Sequence, residues 1–455
     1  MSSFYLGGDA SKGYADFVIL DERKRIVEPA FRLDDTFEGH SRLYAILEKL
    51  LRTHPGADVK AALESTGGYE NNWLASLGRF KASLPLHVAR LNPSFVRHYA
   101  KGEGIRVTTD AVSAEYIAGY LIAHPGKVDF DADDALSSLR SHWRFIEQLL
   151  EQHKALLNQL EKLLYRAHPG LIRYLTHGMP QWALKLLKQY PTAKRLSRAR
   201  PKTLASIPYL TLERAGELIA SAKRSVASAE DVAMEGLVRE MAKQLLHLDA
   251  LIKEQKKRLA AYLRQSDERI SEDVALLKSY GSIGEYSAVG LLLEIQSVER
   301  FSSAKKIASF FGVHPAFKES GDGKTVVRMS KEGSARMRKL LFMITFSAVQ
   351  HHPVIAPLYE RLVNENRMPR MAAIGVCMHK TLRLVYGILK NRTPFDPEVE
   401  RAHRRRSVIT ASSTPSDRAR RFQAPDEAAP ISARAKKRRR QQKHSQGPVE
   451  AMNGM

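Results

Sequence analysis

Residues 4–20, FYLGGDASKGYADFVIL, decide how the N-terminal third of the chain is read. Phe4–Gly8 is a short apolar run ending at Asp9. Ala10–Tyr14 turns through Ser11 and Gly13, and Ala15–Leu20 is a second apolar run. Two such runs joined by small turn residues predict a β-hairpin. After the charged turn Asp21–Arg25, Val27–Leu33 supplies a third strand, and Leu43, Ile46, Leu47, Leu50 and Leu51 recur at helical spacing. Val59–Leu63 is a further strand that ends at Glu64. Trp73, Leu74 and Leu77 mark a helix beyond Gly67-Gly68, and Leu84–Val88 makes a strand that Asn92-Pro93 stops. A hairpin followed by strand–helix alternation predicts a mixed sheet flanked by helices over residues 1–130.

Three acids stand where such a sheet could use them. Asp9 ends one strand, Glu64 ends another, and Asp110 opens the helix that runs through Tyr116–Ile122. Carboxylates at adjacent strand ends can converge on hard, oxygen-liking Mg²⁺. Two such ions can activate a nucleophile and stabilise a leaving oxygen in phosphodiester displacement. The same three residues also read as a turn residue, a strand end and a helix N-cap, so both readings stand at this point.

From Ser137 to about Leu175 the pattern is helical, with Trp143, Ile146, Leu149, Leu156, Leu160 and Leu164 in one stripe. A second stripe runs from Val232 through Met241, Leu248 and Leu259 to Leu263. Amphipathic helices of this length serve internal packing or pairing between subunits. Between them, Leu184–Ala222 reads as short helices around Pro191 and Pro208, with several basic residues suited to nucleic acid or to a solvated face. Residues 131–270 are therefore a helical, coiled-coil-like region with a basic insert.

A mainly helical domain is expected over 271–396. Gly281-Ser282-Ile283-Gly284 separates two apolar helices there. Its glycines, Gly281 and Gly284, either expose amides to a DNA phosphate or make a plain helix turn. Farther on, Phe317–Arg338 reads FKESGDGKTVVRMSKEGSARMR. Ser320 precedes two glycines, and Arg328, Lys331, Arg336 and Arg338 follow. A small, flexible, basic stretch of this kind lays backbone close to a phosphate and presents a hydroxyl beside it. Gly323-Lys324-Thr325 imitates the end of a P-loop, but Lys318 stands where that motif needs glycine. His351-His352 has no nearby carboxylate partner and reads as surface or core edge. Residues 397–455, with Arg404–Arg406 and Lys436–Arg440 and few bulky apolars, predict a disordered basic tail that adds salt-sensitive phosphate attraction.

Lysine plus arginine number 72 against 49 acidic residues, a net charge of +23 over 455 residues. Such an excess implies a polyanionic partner, most often nucleic acid. A single cysteine, Cys377, excludes intramolecular disulfides and cysteine-rich zinc sites. The start of the chain lacks the features of a signal peptide, and the longest apolar run, Leu340–Val349, is too short for a bilayer. The expectation is a soluble intracellular protein with no membrane partner.

Taken together the motifs resemble one family, the DEDD-type (RuvC-like) bacterial insertion-sequence transposases. The N-terminal signals are YLGGDASKG, Glu64-Ser65-Thr66-Gly67, and Asn92-Pro93 leading a basic helix. The C-terminal ones are the GSIG hairpin, Arg300–Pro315, Ser320-Gly321 and Met329–Gly333. The resemblance spans about residues 4–396. It implies an RNase H-like N-terminal domain in an α/β plus α protein. It further implies a site-specific DNA recombinase that moves its own element. Asp9, Glu64 and Asp110 then match metal-binding acids for Mg²⁺ or Mn²⁺, and Ser320 matches a serine that joins covalently to a DNA phosphate. The implied partners are donor and target DNA, a guide RNA from the element, and further copies of the chain as dimers or tetramers. The implied setting is the bacterial cytoplasm, at the nucleoid. The fourth acid of the family is replaced here by Ser113, a neutral and weaker ligand. A hydrolytic RuvC-like junction nuclease and a catalytically weakened nucleic-acid-binding relative are the alternative readings.

Overall fold

The structure, a computed structural model, describes residues 2–104, 110–127, 136–175, 178–266, 268–318, 326–402 and 436. It divides into two units, Met1–Ala135 and Leu136–Met455.

The first unit is built on a five-stranded sheet. Strands β1 (Ser3–Ser11), β2 (Tyr14–Asp21) and β3 (Ile26–Asp34) form an antiparallel meander, and β4 (Asp58–Glu64) and β5 (Leu86–Leu91) add in parallel, giving the order β3-β2-β1-β4-β5. The first hairpin is tighter than the sequence implies: β1 continues to Ser11, and only Lys12-Gly13 turns. Alternation along β1 sends Phe4, Leu6 and Ala10 to one face and Tyr5, Gly7 and Asp9 to the other. The first face is covered by α1 (Phe37–Thr53) and α2 (Asn71–Phe80) through Leu43, Leu47, Trp73 and Leu77. The second is covered by α3 (Pro93–Gly102) and α4 (Asp110–Ala123) through Val96, Ala114, Ile117 and Leu121. This mixed α/β sheet with helices on both faces agrees with the RNase H-like expectation.

In the second unit α5 (Ser137–Ala167) is followed by α6 (Pro169–Ile172), α7 (Gln181–Gln189), α8 (Ala193–Ser197), α9 (Pro201–Leu204), α10 (Leu212–Lys223) and the 35-residue α11 (Val232–Ser266). Helices α5 and α11 run antiparallel, tied by His142 to Gln255 at 2.9 Å and His153 to Asp249 at 3.1 Å. One end of the pair grips the lobe α6–α10. The other docks on α13 (Glu285–Ile295), where Arg140 Nε donates to the Leu293 carbonyl at 3.0 Å. Helices α12 (Glu268–Lys278), α14 (Ala304–Phe310), α15 (Ala335–His351), α16 (Ile355–Glu360) and α17 (Arg370–Asn391) complete the C-terminal core with α13. Two short strands, β6 (Pro315–Lys318) and β7 (Val326–Met329), form an antiparallel ribbon there. The loop expected around Ser320 is thus partly strand: the β-branched pair Val326-Val327 suits a ladder, and Pro315 tolerates its edge. Helix α17 is long and apolar enough to cross a membrane, but half of it is buried inside this core.

The two adjacent histidines separate. His351 is exposed, whereas His352 is buried, stacks on Tyr280 at 4.0 Å and accepts from the Val354 and Ile355 amides. Burial pushes both His352 and the equally buried His168 down to about 4. Each is neutral in the fold and takes up its proton on unfolding near pH 6.5. Its stabilisation is therefore complete above that pH and is lost as pH falls toward 4. One such proton makes stability fall by at most roughly 1.4 kcal/mol per pH unit. Parent protein is accordingly expected to lose unfolding free energy more steeply than His168→Leu between pH 7 and 5. Equal slopes in denaturant titrations would show that His168 titrates normally.

Candidate active site

Parallel pairing of β1 with β4 sets Gly8 beside Leu63, so the next residues, Asp9 and Glu64, lie side by side on the α3–α4 face. Glu64 ends β4 as expected, but Asp9 does not end its strand: β1 runs on to Ser11 and pairs Asp9 with Asp16 of β2. Both are half-buried. Burial, and behind it the negative charge of Asp9, push the Glu64 carboxyl above its ordinary range, while Arg97 on α3 opposes the shift. Two like charges so placed favour a proton or a cation between them. A divalent ion fits this donor set, since both ligands are hard carboxylate oxygens and their mutual repulsion is the strain it would relieve.

Helix α4 reaches the same face by close approach. A Cβ on Gly7 would lie 2.0 Å from the Ala114 carbonyl oxygen and 2.7 Å from the Ala118 nitrogen. Only glycine lets the helix backbone seat there. Asp110 starts α4, one turn before Ala114, though its side chain lies outside the described residues. Ser113 is half-buried next to that contact, and Glu115 is exposed, consistent with its pointing elsewhere. Among the described residues no three His, Cys, Asp or Glu side chains form a metal-binding group.

Ser320 lies outside the described residues, two positions beyond the end of β6, in the segment that joins β6 to β7. The base of that ribbon is locked. Lys331 N donates to the Gly312 carbonyl and Ser330 N to that of His314, both at 3.0 Å. A Cβ on Gly312 would come 2.3 Å from the Glu332 oxygen, and one on Gly333 would come 2.3 Å from the Phe310 oxygen. The Met329–Gly333 motif is therefore an interlock of two backbones. Lys331 takes a left-handed φ of 61° within it. Arg328, Lys331 and Arg336 are exposed. Arg338 is different: its guanidinium donates to the Phe311 and Gly333 carbonyls at 3.3 and 2.9 Å, so it braces the lock instead of standing free for phosphate. Gly281 takes a left-handed φ of 83° and Gly284 caps α13, and a Cβ at either would meet open space.

Two comparisons bear on both halves. Residues 6–169 match the DEDD model of IS110 elements, described as "Transposase". Residues 274–360 match the model described as "Transposase IS116/IS110/IS902 family". Two separate segments of the chain thus match transposase models of the IS110 group. It is similar to the 43.6 kDa protein of insertion element IS110 from Streptomyces coelicolor, 22% identical over 71% of this chain and 81% of the relative. It is also similar to the transposase of insertion sequence IS1111A from Coxiella burnetii, 20% identical over 54% and 61%. The pilin gene-inverting protein of Moraxella bovis is 25% identical over 29% of this chain and 41% of its own length. The chain thus spans about half the length of several of these relatives.

Three residues that organise the site were not singled out from sequence. Glu70, 3% exposed, accepts from Ser65 Oγ, from the hydroxyl and amide of Thr66, and at 2.8 Å from the Gly68 amide. It thereby pins the loop that follows Glu64. Asp16, the register partner of Asp9, is held by both Arg32 Nε and Nη2, at 3.0 and 2.8 Å, so its charge is already answered. Arg97 is the third. Gly7→Val would force α4 off β1 and is expected to cost about 1–3 kcal/mol or more. A thermal midpoint equal to that of the parent would mean the helix does not seat on Gly7.

Proposed function

We propose that this IS110-family transposase cuts and exchanges DNA strands through a covalent serine–phosphate intermediate with divalent-metal assistance. The observation that carries the reading is the half-buried Asp9–Glu64 pair, side by side on adjacent parallel strands, in a chain with two segments that both match transposase models. Asp9, Glu64 and Asp110 would hold Mg²⁺ or Mn²⁺, with Ser113 in the fourth place. Such a metal, when bound, stabilises negative charge on phosphoryl and leaving oxygens.

Ser320 Oγ would attack phosphorus, forming an Oγ–P bond as the bond from phosphorus to the leaving sugar oxygen breaks. The serine proton passes to a base and the leaving oxygen gains one, so charge and atoms balance. Strand joining is the reverse step, with a different sugar hydroxyl displacing the serine. A serine hydroxyl is a poor nucleophile until its proton affinity is lowered. Arg328, Lys331 and Arg336 follow Ser320 on and beyond β7 and would hold the flanking phosphates. Gly281 and Gly284 would offer backbone amides to another phosphate, as the open space around both allows. The partners in this reading are donor and target DNA, an element-encoded guide RNA that supplies sequence recognition by pairing, and further copies of the chain. It would act in the bacterial cytoplasm. The basic tail from residue 397, mostly outside the described residues, would add non-specific affinity.

The test is covalent trapping on a DNA substrate carrying the element's ends, with its flanking RNA supplied. Parent protein should give an adduct that resists denaturant, Ser320→Ala none, and Glu64→Gln at least about 100-fold less, as expected when a group in the reacting constellation is lost. Full cleavage by Ser320→Ala would instead establish a hydrolytic nuclease.

A further inference from the structure

Neither family match reaches residues 170–273. Within them, LASIPYLTLERAGELIASA (204–222) has the build of LKSYGSIGEYSAVGLLLEI (277–295), with Leu204 aligned to Leu277, a shift of 73. Positions 204, 207, 210, 215, 218, 219 and 222 are buried, and so is each position 73 residues later. Ser206 Oγ donates to the Thr203 carbonyl at 2.7 Å, and its counterpart Ser279 Oγ donates to that of Leu276 at 2.5 Å. The first full turn closes alike, Ala215 N to Thr211 O and Ala288 N to Gly284 O, both at 2.9 Å. The α9–α10 turn therefore has the burial pattern and turn bonds of the α12–α13 hairpin, after a shorter first helix.

The copies differ at the tip. Tyr209 occupies a left-handed backbone, φ 71°, that bulky side chains rarely adopt, and its ring is 86% exposed. Nothing packs the ring there, so packing does not explain why a tyrosine occupies a place suited to glycine. Just upstream, Arg198, Arg200 and Lys202 are exposed, and none makes an ion pair among the described residues. Neighbouring cations are engaged: Arg195 bonds Glu235 at 2.8 Å, and Arg214 lies 5.0 Å over the Trp182 ring.

We propose that this second hairpin grips duplex DNA without reading sequence, with Arg198, Arg200 and Lys202 on backbone phosphates and Tyr209 against the groove wall. The proposal rests on the reading that DNA is the substrate, and it adds a contact surface outside both matched segments. A hairpin that presents cations beside an exposed aromatic suits a polyanion with flat, apolar base and sugar edges.

Binding of full-length protein to a duplex of unrelated sequence, and to an RNA hairpin of equal length, tests this in a salt series without divalent metal. In the triple variant Arg198→Gln/Arg200→Gln/Lys202→Gln, duplex affinity should fall at least about tenfold. The slope of log affinity against log salt should shrink by about 2–3, given roughly 0.9 per phosphate contact. Tyr209→Gly puts the suited residue into the left-handed position, so its thermal midpoint should hold or rise while duplex affinity falls about threefold or more. Full duplex affinity in Tyr209→Gly, an unchanged salt slope in the triple variant, or a loss confined to RNA would each overturn the proposal. Because no strand is cut in this assay, failure of the serine mechanism would leave its result standing.

Discussion

Two carboxylates that ought to repel are held side by side, and the N-terminal unit is arranged to keep them so. Parallel pairing of β1 and β4 puts Asp9, within β1, beside Glu64 at the end of β4. Burial by the covering helices withholds the water that would otherwise screen them, and the Glu64 carboxyl rises accordingly. The surroundings answer the other charges nearby: Arg32 neutralises Asp16, and loop amides and hydroxyls satisfy Glu70. Asp9 still raises the Glu64 carboxyl against the opposing charge of Arg97, and an added cation between the two acids would offset that repulsion. Gly7 makes the arrangement possible, since the helix that begins at Asp110 can cover this face only where the strand has no side chain.

The C-terminal unit uses the same device of backbone against backbone for a different end. Gly312 and Gly333 let two chain segments cross at contact distance, and Arg338 ties both to one guanidinium. The result is a firm base beneath β6 and β7, the strands that flank Ser320. On the proposed mechanism, Ser320 would gain from such a base, because small displacements of a reacting group lower rates steeply. The α9–α10 turn in the α6–α10 lobe repeats the burial pattern of the α12–α13 hairpin and differs from it at the tip and in the charges around it.

Much of this was legible in the sequence, and the misses have physical reasons. The strands β1, β2, β4 and β5 showed as apolar runs bounded by turn residues, because strands covered on both faces leave little room for polar side chains. The edge strand β3, by contrast, has no buried residue and showed only through its place after the charged turn. Asp9 and Glu64 could be singled out as acids closing apolar runs, although Asp9 lies within β1. Glu70 could not: its partners are amides and hydroxyls of the loop before it, and only the folded loop brings them to one carboxylate. The ribbon of β6 and β7 was hidden because its strands are four residues each and are flanked by glycine and charge. Arg338 looked like its basic neighbours and differs from them only through the two carbonyls it meets in the fold. His351 and His352 are adjacent in sequence, yet the end of α15 turns one to solvent and the other into the core.

The account turns on Asp9 and Glu64 binding a divalent ion. The most direct measurement is calorimetric titration of Mn²⁺ into the full-length protein and into Asp9→Asn and Glu64→Gln, with thermal midpoints recorded in parallel. Saturable binding that raises the parent's midpoint, and that weakens at least about tenfold in both variants, is the predicted result. Equal binding by all three proteins, or none by the parent, would contradict it.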